Sequence, residues 1–136
     1  MYKRLLFLFI SILLIWSCNT APKPIPDDIS PDNLLQMAQE SVVTDKNDEH
    51  AIYYYKEFIK RFPDLIQKTI EAEYEIAFIT YSRGDYEEAK KLFEIVKSKY
   101  EGENAEVLPE WPLTLTKKIL IEIDEKLAEK DDKGKK

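Results

Sequence analysis

The sequence predicts an all-α protein: a short stack of antiparallel helix hairpins with a C-terminal closing helix. Three observations carry this. Only 3 residues are glycine, and the frequent Glu, Lys, Leu and Ile favour helix over sheet. Apolar residues recur at steps of three and four through most of the chain. Finally, Ala72–Phe93 (AEYEIAFITYSRGDYEEAKKLF) reads as two helices reversed at Arg83-Gly84-Asp85, with small residues at Ala77 and Ala89 where the axes would cross. One such hairpin leaves apolar surface uncovered, so it needs neighbours.

The first residues read as a leader. Lys3 and Arg4 precede the apolar run Leu5–Trp16, and Ser17 closes residues 1–17 as a signal peptide. The run is well short of the roughly 20 residues that span a bilayer, so a permanent transmembrane helix is not expected. The single cysteine, Cys18, excludes an intrachain disulfide and falls where the leader ends. Ile15-Trp16-Ser17-Cys18 resembles a bacterial lipobox, although Trp16 stands where a small residue is usual. The resemblance implies lipidation of Cys18 with a diacylglycerol and an N-linked chain such as palmitate. Several chains are needed for a stable anchor, since each buried methylene contributes only about 0.8 kcal/mol. By the enterobacterial lipoprotein sorting pattern, Asn19 in place of a retaining Asp makes the resemblance imply the outer membrane, with the periplasmic face expected. The alternative is a secreted protein with a buried Cys18.

Residues 18–30, with Pro22, Pro24 and Pro26, read as an extended tether. The helical domain is expected over 31–129. Ser30-Pro31 is an N-cap followed by proline at the first helical position, and the helix to Val43 carries Leu34, Leu35, Ala38 and Val42 on one face. Asn47 or Asp48 caps a second helix, about Glu49–Phe62, in which Ala51, Tyr55, Phe58 and Phe62 form a stripe that Pro63 ends. A third, about Ile66–Ser82, is apolar on several sides and so is expected between neighbours. Asp85 with Glu88 suggests a capping box opening a fourth helix, about Tyr86–Tyr100, with Ala89, Phe93, Val96 and Tyr100 in line. After a polar connector, Trp111-Pro112 opens a last helix to about Glu129, with Ile119, Leu120, Ile123 and Leu127 toward the core. Residues 130–136 are charged and expected to be disordered.

The spacing then carries a family resemblance. Ala51-x-x-x-Tyr55 and Ala89-x-x-x-Phe93, with Pro63 after the first, resemble the second helix of a tetratricopeptide repeat. Ile76-Ala77 matches the Leu-Gly position of that motif, and Gly84-Asp85-Tyr86 its turn. The departures are a residue too many between Ala38 and Ala51, a long linker between the copies, Glu101 for the second proline, and Glu73 for the usual tryptophan. The resemblance gives Ala51, Tyr55, Pro63, Ala77, Gly84, Tyr86, Ala89 and Phe93 packing roles. It places Glu71, Tyr74, Phe78 and Tyr81 on the inner face, as a candidate partner groove. The same aromatics also suit plain packing against a neighbouring helix, and both readings stay open.

With Cys18, the segments His50–Pro63 and Ala72–Phe93 resemble the BamD family of outer-membrane β-barrel assembly lipoproteins. The chain has room for fewer repeats than that family carries. The resemblance implies a non-catalytic scaffold whose partner is an Omp85/BamA-type barrel protein or another subunit of the assembly complex. The alternative is a periplasmic repeat lipoprotein coordinating envelope growth or cell division.

Other signals are weaker. Arg83-Gly84-Asp85 spells an adhesion tripeptide, but the repeat turn already asks for those residue types. His50 is the single histidine, so no zinc site is expected, and Asp45, Asp48 and Glu49 lack the glycine and spacing of a calcium loop. No nucleophile with a paired base, phosphate loop or cofactor motif is seen, so neither catalysis nor a cofactor is expected. A net charge of −6 argues against nucleic acid.

Overall fold

A computed structural model describes residues 21–134. The leader, Cys18 and the first residues of the tether lie outside the described residues. Five α-helices follow one another: α1 Pro31–Val43, α2 Asp48–Arg61, α3 Ile66–Ser82, α4 Tyr86–Ser98 and α5 Glu110–Gly134. Short 3-10 turns at Lys99–Glu101 and Ala105–Val107 connect the last two, and the described residues contain no strand.

Local chemistry accounts for most boundaries. At α1 the Asn33 amide donates to Ser30 Oγ at 3.3 Å, and Pro31, which has no N–H to leave unpaired, occupies the first turn. At α2 the His50 amide donates to Asn47 Oδ1 at 3.1 Å. Acidic residues open α2 (Asp48, Glu49) and basic ones close it (Lys60, Arg61), as the helix dipole favours. Between α3 and α4 the chain reverses through Gly84 at φ 84°, a left-handed conformation that a side chain would strain, and the Gly84 amide bonds the Tyr81 carbonyl at 2.9 Å. The capping box expected there does not form. Asp85 makes no side-chain cap bond and faces the Arg83 guanidinium at 3.9 Å, while Glu88 pairs with Lys91 at 2.9 Å.

Each helix packs on its predecessor, and two clusters fill the interior. The first joins Leu34 and Ala38 of α1, Ala51, Tyr54, Tyr55 and Phe58 of α2, and Ala72, Ile76 and Ile79 of α3. The second joins Tyr74 and Ala77 of α3, Ala89 and Phe93 of α4, and Ile119, Leu120 and Ile123 of α5. Helix α3 thus contributes one side to each cluster, which is why its apolar residues run round it. Leu35 and Val42, expected on the α1 core face, pack against the first cluster while staying half-buried, and Ser41 is buried beside them and donates to the Met37 carbonyl at 2.9 Å.

Both ends of the domain differ from expectation. Residues 21–30 do not stand away as a tether. Ile25 and Ile29 pack against the first cluster, Tyr54 Oη donates to the Lys23 carbonyl at 3.1 Å, and Arg61 Nη1 donates to the Pro26 carbonyl at 3.0 Å. Prolines suit this docked path because they demand no backbone donor partner. At the other end α5 runs past Glu129 to Gly134, so the charged end is helical as far as it is described. Lys130 Nζ reaches Glu87 at 2.9 Å and ties the start of that stretch to α4, and just before it Lys126 lies 5.6 Å above the Tyr86 ring.

Two substitutions test this packing. Ala89 is fully buried, so Ala89→Trp should overpack the second cluster and cost about 1–3 kcal/mol or more, read from the denaturant midpoint. Thr116 is also fully buried on α5, and its Oγ1 has no hydrogen-bond partner among the described residues. The near-isosteric Thr116→Val should therefore stabilise the domain by about 1 kcal/mol, visible as a raised melting temperature.

Candidate partner groove

The residues expected to form a groove lie along one side of α3, where the structure separates their roles. Tyr74 is 5% exposed and belongs to the second cluster, whereas Phe78, one turn on, is 40% exposed. Their rings stack at 6.1 Å with 12° between planes. Phe78 and Tyr81 approach at 6.2 Å, so the three rings form a continuous ladder. Phe93 of α4 supports it from beneath, with its ring 5.7 Å from Tyr74.

Helix α5 supplies the other side. Trp111 sets its ring edge-on to Tyr74 at 5.0 Å and remains 40% exposed, as does Leu115 one turn later. Further along α5, Glu122 Oε2 accepts from Tyr81 Oη at 2.9 Å. Trp111, Leu115, Lys118 and Glu122 recur at steps of four, three and four, so they form one stripe beside the buried one of Thr116, Ile119 and Ile123. The result is a face shared by α3 and α5, floored by Tyr74 and capped by three large, half-exposed apolar side chains.

The borders of this face are acidic. Glu71 pairs with Lys68 at 3.1 Å. Glu75 is half-buried, and no ion pair or hydrogen bond holds its carboxylate among the described residues. Burial, and then the charge of Glu71, push its pKa above the ordinary glutamate value. Burial together with Glu75 moves the Tyr74 hydroxyl up to about 12 and raises that of Tyr55 on α2 as well. Tyr81 is raised chiefly because its hydroxyl donates to Glu122.

The positions read as repeat packing occupy structural places. Ala51, Ala77, Ala89 and Phe93 are fully buried, Tyr55 is buried in the first cluster, and Tyr86 is half-buried beside Tyr81, with ring centroids 5.7 Å apart. Pro63 and Gly84 are exposed at turns. Glu73, where the repeat motif has tryptophan, accepts from Lys99 Nζ through Oε1, while its buried Oε2 has no partner among the described residues. That ion pair borders a cleft of about 440 Å³ lined by Ile59, Ile66, Ile70 and Leu108.

Sequence reasoning missed Trp111 and Leu115 as members of the exposed face and the half-buried Glu75 at its border. The four-three-four stripe from Trp111 to Glu122, offset from the core stripe, was the available signal for the first two. Nothing in the sequence marked Glu75, whose environment comes from α2.

Fold and face together define an all-α stack of antiparallel hairpins with a partly exposed aromatic surface. No family model matches this chain, and no solved structure does. An uncharacterized protein of Treponema pallidum (strain Nichols) is 27% identical over 111 residues, covering 80% of this chain and 44% of that protein. The chain therefore spans less than half the length of that relative. Among the described residues no helix is long and apolar enough to cross a membrane.

Glu75 has a pH signature. Because its pKa is raised in the folded state, its contribution is most favourable below the ordinary glutamate value of 4.5 and is lost as pH rises through the raised value. Glu75→Gln should flatten the fall of stability with pH in that window and raise the melting temperature at pH 7. A melting profile from pH 4 to 8 measures both.

Proposed function

We propose that this protein is a non-catalytic scaffold, anchored through lipid on Cys18, that binds a protein partner on the α3–α5 face. The observation that carries this is the exposure of Phe78, Trp111 and Leu115, each at 40%, on neighbouring turns of one surface. Isolated apolar residues are ordinary on surfaces, but a joined aromatic set over a packed floor is the composition of an interface centre. Tyr74, stacked below and fixed by Phe93 and Trp111, keeps that centre rigid, which limits the ordering cost of binding. The unpaired Glu75 at its border favours a partner that brings a Lys or Arg beside its apolar anchor.

The anchor rests on Ile15-Trp16-Ser17-Cys18 and the preceding leader. Taken with the BamD-like segments His50–Pro63 and Ala72–Phe93, it supports a short BamD-like subunit of the outer-membrane β-barrel assembly complex, with an Omp85-type barrel protein as partner. The face combines α3 with α5, so both helices would contribute to the partner contact.

Detergent capture of the tagged protein from its native envelope should recover an Omp85-type barrel protein. Phe78→Ser with Leu115→Ser should reduce that recovery at least tenfold while leaving the helical circular dichroism spectrum intact, since both side chains are substantially exposed. Recovery of no barrel protein would overturn the partner, and undiminished recovery by the double variant would overturn the face.

A further inference from the structure

We propose that residues 21–30 act as a docked bracket holding the α1–α2 turn, with Val43 and Lys46, against the surface of a lipid bilayer. This inference rests on the reading of Cys18 as the anchor and adds an orientation to it. Three kinds of contact fix the bracket. Tyr54 Oη holds the Lys23 carbonyl, Arg61 holds the Pro26 carbonyl, and Ile25 and Ile29 pack against the first cluster. The chain is therefore attached to the domain from Lys23 onward.

Chain length then sets the reach. Were residues 18–30 a free extended linker, they could span about 40 Å at roughly 3.1 Å per residue. With the bracket docked, only the five steps from Cys18 to Lys23 remain, and they span at most about 18 Å, less than half of that reach. Ala21 and Lys23 line a cleft of about 480 Å³ together with Asp45, Asn47 and His50, which belong to the α1–α2 turn and the start of α2. A lipidated Cys18 thus places this turn, rather than the α3–α5 face, nearest the headgroups.

The turn has a fitting apex. Val43 is 75% exposed, the most exposed large apolar residue among those described, and exposed Lys46 follows at φ 49°. Glu40, Asp45, Asp48 and Glu49 surround them, so attraction to anionic lipid is not the holding force. The bracket is, and the apposition should resist salt.

The test uses the full lipidated chain in nanodiscs containing doxyl-labelled phosphatidylcholine. Val43→Cys or Ile95→Cys on α4 carries a bimane label; Cys18 is the single native cysteine, and its sulfur is blocked by the diacylglyceryl thioether, which mass spectrometry verifies. Quenching at position 43 should be at least twice that at 95 and persist in 0.5 M salt. Ile25→Ser with Ile29→Ser should remove the difference while the acyl chains remain. Equal quenching at both positions in acylated protein would overturn the bracket and leave the anchor standing. Absence of acylation would overturn both.

Discussion

The structure depends on α3 being wanted from two sides. Ala72, Ile76 and Ile79 complete the cluster begun by α1 and α2, while Tyr74 and Ala77 complete the one shared with α4 and α5. A helix of 17 residues with one apolar stripe could close only one of these. Small residues make the arrangement possible. Ala51, Ala77 and Ala89 are fully buried, so the axes approach closely, and Phe58 and Phe93 fill the space behind them. Remove either neighbour and one side of α3 would face water. The hairpins stabilise one another for this reason rather than each standing alone.

A stack has two ends, and each end must be finished. At the start, the proline-containing segment lays Ile25 and Ile29 onto the first cluster and accepts hydrogen bonds from Tyr54 and Arg61 through its carbonyls. At the finish, α5 covers the second cluster with Ile119, Leu120 and Ile123 and continues as a mostly polar helix held to α4 by Lys90–Asp124 and Lys130–Glu87. Exposed ion pairs of this kind contribute only about 0–1 kcal/mol each, so they orient the helix end more than they stabilise it. The apolar contacts do most of the stabilising.

The α3–α5 face follows from the same geometry. Two helices that both run forward along the stack bring Tyr74 to Trp111 and Tyr81 to Glu122, giving a ladder of rings bounded by carboxylates. Among the described residues no element covers Phe78, Trp111 and Leu115, which stay substantially exposed. Stability and binding therefore share Tyr74, a core residue on one side and the floor of the exposed face on the other.

By itself the sequence determined the helices, their order and most of their caps. These are set by short-range terms: apolar steps of three and four, Ser30 and Asn47 at helix starts, and Gly84 at the reversal. It also determined the small-residue positions Ala51, Ala77 and Ala89, since close crossing admits little else. Only the tertiary structure decided what met across the chain. Residues 21–30 looked like a tether because proline content speaks of local conformation and not of whether Ile25 finds a core. The end of α5 looked disordered because Glu87, which pairs with Lys130, lies on another helix. Trp111 and Leu115 joined Phe78, and Glu75 came beside Tyr55, through the stacking of α2, α3 and α5. Contacts between residues far apart in the chain leave no periodic trace in it, so the candidate site was legible only on its α3 side.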